Sequence, residues 1–208
     1  AILLARKYDF ILAVDECYCD IFRMNKPKPP GALEAAASLD KGLDNLIIFN
    51  SLSKRSNASG MRVGFIAGDK KIIASYKLLV SNGASPVPIP IQKVAAYLYD
   101  DEEHHTNACI HYDQNFSIVE KYLKPFYKDL KLPDAGFFLW LKVKDDQQAA
   151  KILWNKFSLR VMPGSFMGKD INGVNPGNGF LRISLVDNKD VIEETMKRIQ
   201  LFLQSEIS

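Results

Sequence analysis

The chain has 208 residues, with 27 Lys+Arg against 24 Asp+Glu, a formal net charge of +3 and 47% hydrophobic residues. That apolar content excludes a disordered chain, and the length suits one large domain or two small ones. The charge excess is small and evenly spread, and no apolar run reaches the roughly 18 residues that cross a bilayer, so neither nucleic acid nor a membrane is an expected partner.

Ala1 to Lys7 reads as the end of a helix. It is too short for a signal peptide and carries its charge on the wrong side. Residues 10–14 (FILAV) form an apolar run closed by Asp15-Glu16, which predicts a strand buried on both faces, as in a parallel sheet. Pro27 to Gly31 is a loop and residues 32–39 a short helix. Residues 46–49 (LIIF) predict a second buried strand, ending in Asn50-Ser51-Leu52-Ser53-Lys54, and residues 63–67 (VGFIA) a third. The connection between these last two is too short and too rich in Ser, Asn and Gly for a parallel return, so the third strand is expected to run antiparallel. That places Asp15, Ser51, Ser53, Lys54 and Arg62 on one sheet edge, where open α/β sheets bind ligands.

Residues 70–80 predict a helix, 81–90 a loop stiffened by prolines, and 92–99 a second helix. A long helical stretch over 101–127 carries Ile110, Phe116, Val119 and Leu123 at helical intervals, with Pro125 to kink or end it. His104, His105 and His111 on this stretch read as solvated, with no metal shell around them. Residues 137–143 (FFLWLKV) predict a strand, 146–157 a helix, 160–162 a short strand, 168–179 a Gly/Asn loop, 180–186 (FLRISLV) a strand and 190–204 a closing helix. Trp140 and Trp154 read as packing residues. Cys17, Cys19 and Cys109 match no zinc spacing. They read as free thiols in a reducing cytosol, hence a cytoplasmic protein.

Lysine, aspartate, two hydroxyls and an arginine on one sheet edge suit pyridoxal phosphate. Its aldehyde takes a lysine amine, its ring nitrogen a carboxylate, and its phosphate hydroxyls, amides and an arginine fork. Arg182 adds to the set. Leu181, Ile183 and Leu185 share one face of their strand, while Arg182 and Ser184 share the other. An arginine there calls for an anion, whether a substrate carboxylate or a structural ion pair.

Four stretches carry a family resemblance: Val14-Asp15-Glu16-Cys17-Tyr18, Ser51-Leu52-Ser53-Lys54, Gly60-Met61-Arg62-Val63-Gly64-Phe65 and Phe180-Leu181-Arg182-Ile183-Ser184. In their order and spacing the chain resembles the carboxyl-terminal half of a class I/II aminotransferase of pyridoxal-phosphate fold type I. The resemblance implies an α/β fold: residues 1–113 as the C-terminal part of a large cofactor-binding domain, mainly parallel with one antiparallel strand, and residues 114–208 as a small α+β domain. It implies that Asp15 pairs with the ring nitrogen and that Tyr18 donates to the ring phenolic oxygen. Ser51, Ser53 and Arg62 are to hold the phosphate, Lys54 to be the Schiff-base lysine and base, and Arg182 to bind the substrate α-carboxylate.

The family also implies a homodimer acting on amino-acid and keto-acid substrates, with glutamate as the amino donor and residues 81–90 at the subunit interface. The run 51–57 and the later proline loop most resemble the succinyl-diaminopimelate aminotransferase branch, a lysine-biosynthesis activity. A lyase of the same fold would keep the same cofactor residues, and a noncatalytic fragment is a further alternative. The family places more strands, and more of the cofactor site, ahead of the first residue seen here. The expectation is therefore that these 208 residues alone expose a sheet edge and an apolar face, hold the cofactor poorly and do not transaminate.

Overall fold

The computed structural model describes residues 1–83 and 86–207. The chain divides into two compact units, Ala1–Cys109 and Ile110–Ser208.

In the first unit, helix α1 (Ile2–Tyr8) is closed by Asp9 in the left-handed conformation, φ 53°. Strand β1 (Leu12–Asp15), helix α2 (Ala32–Ala37), strand β2 (Leu46–Ser51), the single turn α3 (Leu52–Arg55) and strand β3 (Gly64–Gly68) follow. The sheet order is β1-β2-β3. β1 runs parallel to β2, with Asp15 opposite Phe49, and β3 runs antiparallel to β2, with Gly64 opposite Ser51. The short Ser/Asn/Gly connection leaves no length for a crossover helix, which accounts for the reversal. Gly64 is required where it stands: a Cβ on it would lie 2.1 Å from the Asn50 carbonyl oxygen.

β1 departs from the expected strand buried on both faces. Leu12 and Val14 are partly buried, whereas Ala13 and Asp15 are exposed, and so are Phe10 and Ile11 before them. Among the described residues β1 stands at an edge of the sheet, and its inward face packs with Ile2, Ala36, Leu46 and Ile48. Its alternation is that of a sheet with one covered face.

Helix α4 (Lys70–Gly83) reaches further than expected, and α5 (Ile89–Asp100) begins inside the expected loop. Pro90 sits in the first turn of α5, where its missing N–H leaves no helical bond unmade, so it starts the helix rather than preventing it. Residues 84 and 85 of that loop lie outside the described residues. Asp101 opens helix α6 (Glu102–Leu123) by accepting from the Glu103 N–H at 2.9 Å, and α6 ends two residues before Pro125.

In the second unit, strand β4 (Phe138–Lys142), helix α7 (Asp146–Phe157), strand β5 (Met162–Pro163), strand β6 (Phe180–Ser184) and helix α8 (Lys189–Ile207) build an antiparallel sheet of order β4-β6-β5 with helices against it. Phe116, Leu123, Leu139, Leu153, Leu181 and Met196 are among its buried core. Trp140 and Trp154 are not core residues, although Trp140 meets the Phe180 ring edge-on. They are 44% and 58% exposed. Trp140 stands on the outer face of β4 opposite Arg182, and Trp154 is on the outer side of α7.

Candidate active site

Two turns at the carboxyl ends of β1 and β2 carry most of the predicted site. Asp15 is the last residue of β1, and Tyr18 lies in the turn that follows. Ser51 ends β2 and caps α3. Its Oγ accepts from the Ser53 N–H at 3.1 Å and donates to Ser53 Oγ at 2.9 Å. Lys54 is therefore held on a helical turn rather than in an open loop. Its Nζ lies 5.5 Å from the Tyr18 ring centroid, a cation over an aromatic face, so the two turns meet there.

The antiparallel return brings the Arg62 segment to the same edge. The Leu52 N–H donates to the Val63 carbonyl at 3.3 Å. Arg62 adopts the left-handed conformation, φ 52°, and its Nη1 donates to the Ser59 carbonyl at 2.9 Å. Asp15, Tyr18, Ser51, Ser53, Lys54 and Arg62 thus belong to one edge of one unit.

The electrostatics of Asp15 come from a residue to which sequence reasoning gave no role. The Cys17 thiol and backbone N–H both donate to the Asp15 carboxylate, the N–H at 3.0 Å, and hold its pKa below the ordinary carboxylate value. Burial first, then the hydrogen bond to Asp15, pushes the Cys17 thiol up to about 11. Cys17 therefore stays a protonated donor while Asp15 stays an ionised acceptor.

Arg182 belongs to the second unit. It occupies the middle of β6 opposite Trp140 and Met162, with its Cζ 4.4 Å from the Phe138 ring centroid. Among the described residues no carboxylate pairs with it. Its flanking residues Leu181 and Ile183 are buried on the other face.

Other side chains at this edge went unremarked in the sequence. Asn50 donates to the Glu16 carbonyl at 3.4 Å and accepts from the Tyr99 hydroxyl at 3.0 Å, tying β2 to the turn after β1 and to α5. Arg55, next to Lys54, is buried and paired with Glu102. His105, expected to be solvated, is also buried. Its ring nitrogens lie 3.2 Å from Glu102 Oε2 and 2.5 Å from the Asp20 carbonyl oxygen. His104 is half-buried with Nε2 2.9 Å from Ser56 Oγ. An arginine directly after the lysine, in a run otherwise of Ser and Asn, was the available signal.

Residues 2–199 match the family model for aminotransferase class I and II. The chain belongs to that family. Class I and II aminotransferases use pyridoxal phosphate, and the donor set on this edge fits it: an ionised carboxylate, a lysine amine, two hydroxyls and an arginine. The chain is 29% identical to an LL-diaminopimelate aminotransferase of Natranaerobius thermophilus, over 96% of this chain and 50% of that protein. Its structure resembles an aminotransferase of Neisseria meningitidis (TM-score 0.89, 39% identity, covering 97% of this chain and 51% of that one). It also resembles the aminotransferase AspB of Helicobacter pylori (TM-score 0.86, 29% identity, 98% and 52%). This aminotransferase chain spans about half the length of the curated relatives it matches.

Proposed function

We propose that the protein is a pyridoxal-phosphate aminotransferase that moves an amino group from glutamate to a keto acid of the diaminopimelate type, in lysine biosynthesis. The observation that carries the reading is Lys54 on its capped turn after β2, with Nζ over Tyr18, on the edge that also holds Asp15. The diaminopimelate assignment, whether on an acylated or a free substrate, is supported by the names of the curated relatives and by the run 51–57. Free Cys17, Cys19 and Cys109 support a cytoplasmic location, and the family supports a homodimer.

Bound pyridoxal phosphate supplies an aldehyde that takes up amines and a ring that accepts the electrons of a broken Cα–H bond. Asp15 keeps a proton at the ring nitrogen, because its carboxylate, held ionised by Cys17, accepts there. Tyr18 donates its hydroxyl to the ring oxygen. The Ser51 and Ser53 hydroxyls and the Arg62 guanidinium hold the phosphate oxygens. The Arg62 guanidinium donates to the Ser59 carbonyl from one terminal nitrogen, Nη1, and the phosphate would take its remaining donors. Arg182 grips the substrate α-carboxylate with its fork. Lys54 Nζ would take the proton from the substrate Cα and deliver it to what was the cofactor's aldehyde carbon.

Steady-state kinetics of the holoenzyme with glutamate and a keto acid test the reading. Parallel reciprocal plots, 2-oxoglutarate as product and an absolute need for the acceptor are expected. Release of ammonia without an acceptor would show a lyase instead.

A further inference from the structure

We propose that Arg55 is a positioning residue for Lys54: its guanidinium ties the Lys54 turn to the turn that carries Tyr18 and to the start of α6, and so holds the lysine amine over Tyr18. The inference rests on Lys54 as the lysine that takes the cofactor.

Arg55 is the last residue of α3 and only 5% exposed. Its Nη2 donates to the Tyr99 carbonyl at 3.1 Å and to Glu102 Oε1 at 2.8 Å, and its Nη1 lies 3.7 Å from Asp20 Oδ1. The two acceptors come from the end of α5 and the first turn of α6, and the ion-pair partner Asp20 from the turn after β1. Asp20 is fixed in turn, since its carbonyl lies 2.5 Å from His105 Nε2 and accepts from Cys109 Sγ at 3.3 Å. One residue beyond Arg55, Ser56 Oγ is 2.9 Å from His104 Nε2.

A buried guanidinium is costly unless its partners are well placed, and a planar fork fixes direction as well as distance. Here the guanidinium's hydrogen bonds fix it to Tyr99 and Glu102, and its charge, on the residue after Lys54, faces the Asp20 carboxylate two residues beyond Tyr18. The turns of Lys54 and Tyr18 carry Asp15, Tyr18, Ser51, Ser53 and Lys54. An apolar side chain could fill the same space, but it could not set the angle between the turns. Small misplacements of a reacting group are costly in rate even when the fold survives.

The test uses the holoenzyme with Arg55→Ala and Arg55→Lys. It reads kcat and KM for glutamate, the visible circular dichroism of the bound cofactor, the melting temperature, and the lysine labelled by borohydride. Arg55→Ala is expected to lower kcat about tenfold or more with KM changed less than about twofold. The dichroic band per bound cofactor shrinks, and the label stays on Lys54. Arg55→Lys, which keeps the charge but not the fork, recovers part of the band and of kcat.

A wild-type band and kcat, with only the melting temperature lowered, would overturn the proposal. If Arg55→Ala does not fold, Glu102→Ala and Asp20→Asn carry the test. The Glu102 side chain is 71% exposed, so its truncation opens no cavity, and the melting temperature reads what the loss of its pair with Arg55 costs the fold. Both variants should lower kcat and the band in the same sense, and wild-type values in both would overturn the proposal. A label on another lysine in the unmutated protein overturns the reading of the site itself, and this proposal with it.

Discussion

Asp15 and Cys17 act as one group. The thiol and the N–H lower the Asp15 pKa, and burial first, then the Asp15 carboxylate, raise that of the thiol to about 11. A carboxyl with a lowered folded-state pKa contributes above its ordinary value of 3.8, and the contribution is lost as pH falls through the lowered value. Cys17→Ala removes the thiol donor and leaves the N–H. The acid midpoint at which the holoenzyme loses its cofactor band should therefore move to higher pH. An unmoved midpoint in a spectrophotometric titration would assign the effect to the N–H alone. Asp15→Ala should keep some cofactor and lose about a hundredfold in kcat, ~2.7 kcal/mol of barrier. Near-normal turnover would make Asp15 a strand-end cap. The shared placement of Lys54, Asp15 and Arg62 was legible because charged residues at strand ends are unusual in number and order here. The role of Cys17 was not, because a cysteine beside a strand end carries no pattern of its own.

At the scale of elements, the antiparallel return of β3 followed from the length and composition of its connection, and the register confirms it. The interval between α4 and α5 is shorter than its prolines predict, because their stiffening suits a loop and a helix start alike. Pro90 falls in a first turn, where proline is favoured, and only the tertiary placement of α5 decides that. The uniformly apolar run of β1 predicts a doubly buried strand, but that pattern does not say which face is covered. The need for Gly64 is likewise invisible without the register. Gly64→Ala pushes a Cβ onto the Asn50 carbonyl and should cost about 1–3 kcal/mol, read as a lower urea midpoint. An unchanged midpoint would mean that β3 shifts freely against β2.

For the whole molecule, the two units differ in how their cores are built. The second has one continuous core under β4 and β6. The first has smaller clusters around Leu46 and Ile48 and around Leu52 and Val63, with Leu3, Leu4, Ile11, Leu78 and Leu79 exposed. Local opening is easiest where buried apolar contact is sparse. Amides of β4 and β6 should exchange at least about tenfold more slowly than those of β1 and β3. Equal protection would show that the first unit gains its stability from a surface that covers those side chains.

Lys54 is the residue on which the cofactor chemistry depends. Borohydride reduction of the holoenzyme fixes the cofactor to whichever amine holds it, and peptide mapping then names the residue. The capped turn after β2, the contact with Tyr18 and the shared edge with Asp15 predict a single label on Lys54, absent from Lys54→Ala. A label on Lys41, Lys70 or Lys71 would contradict it.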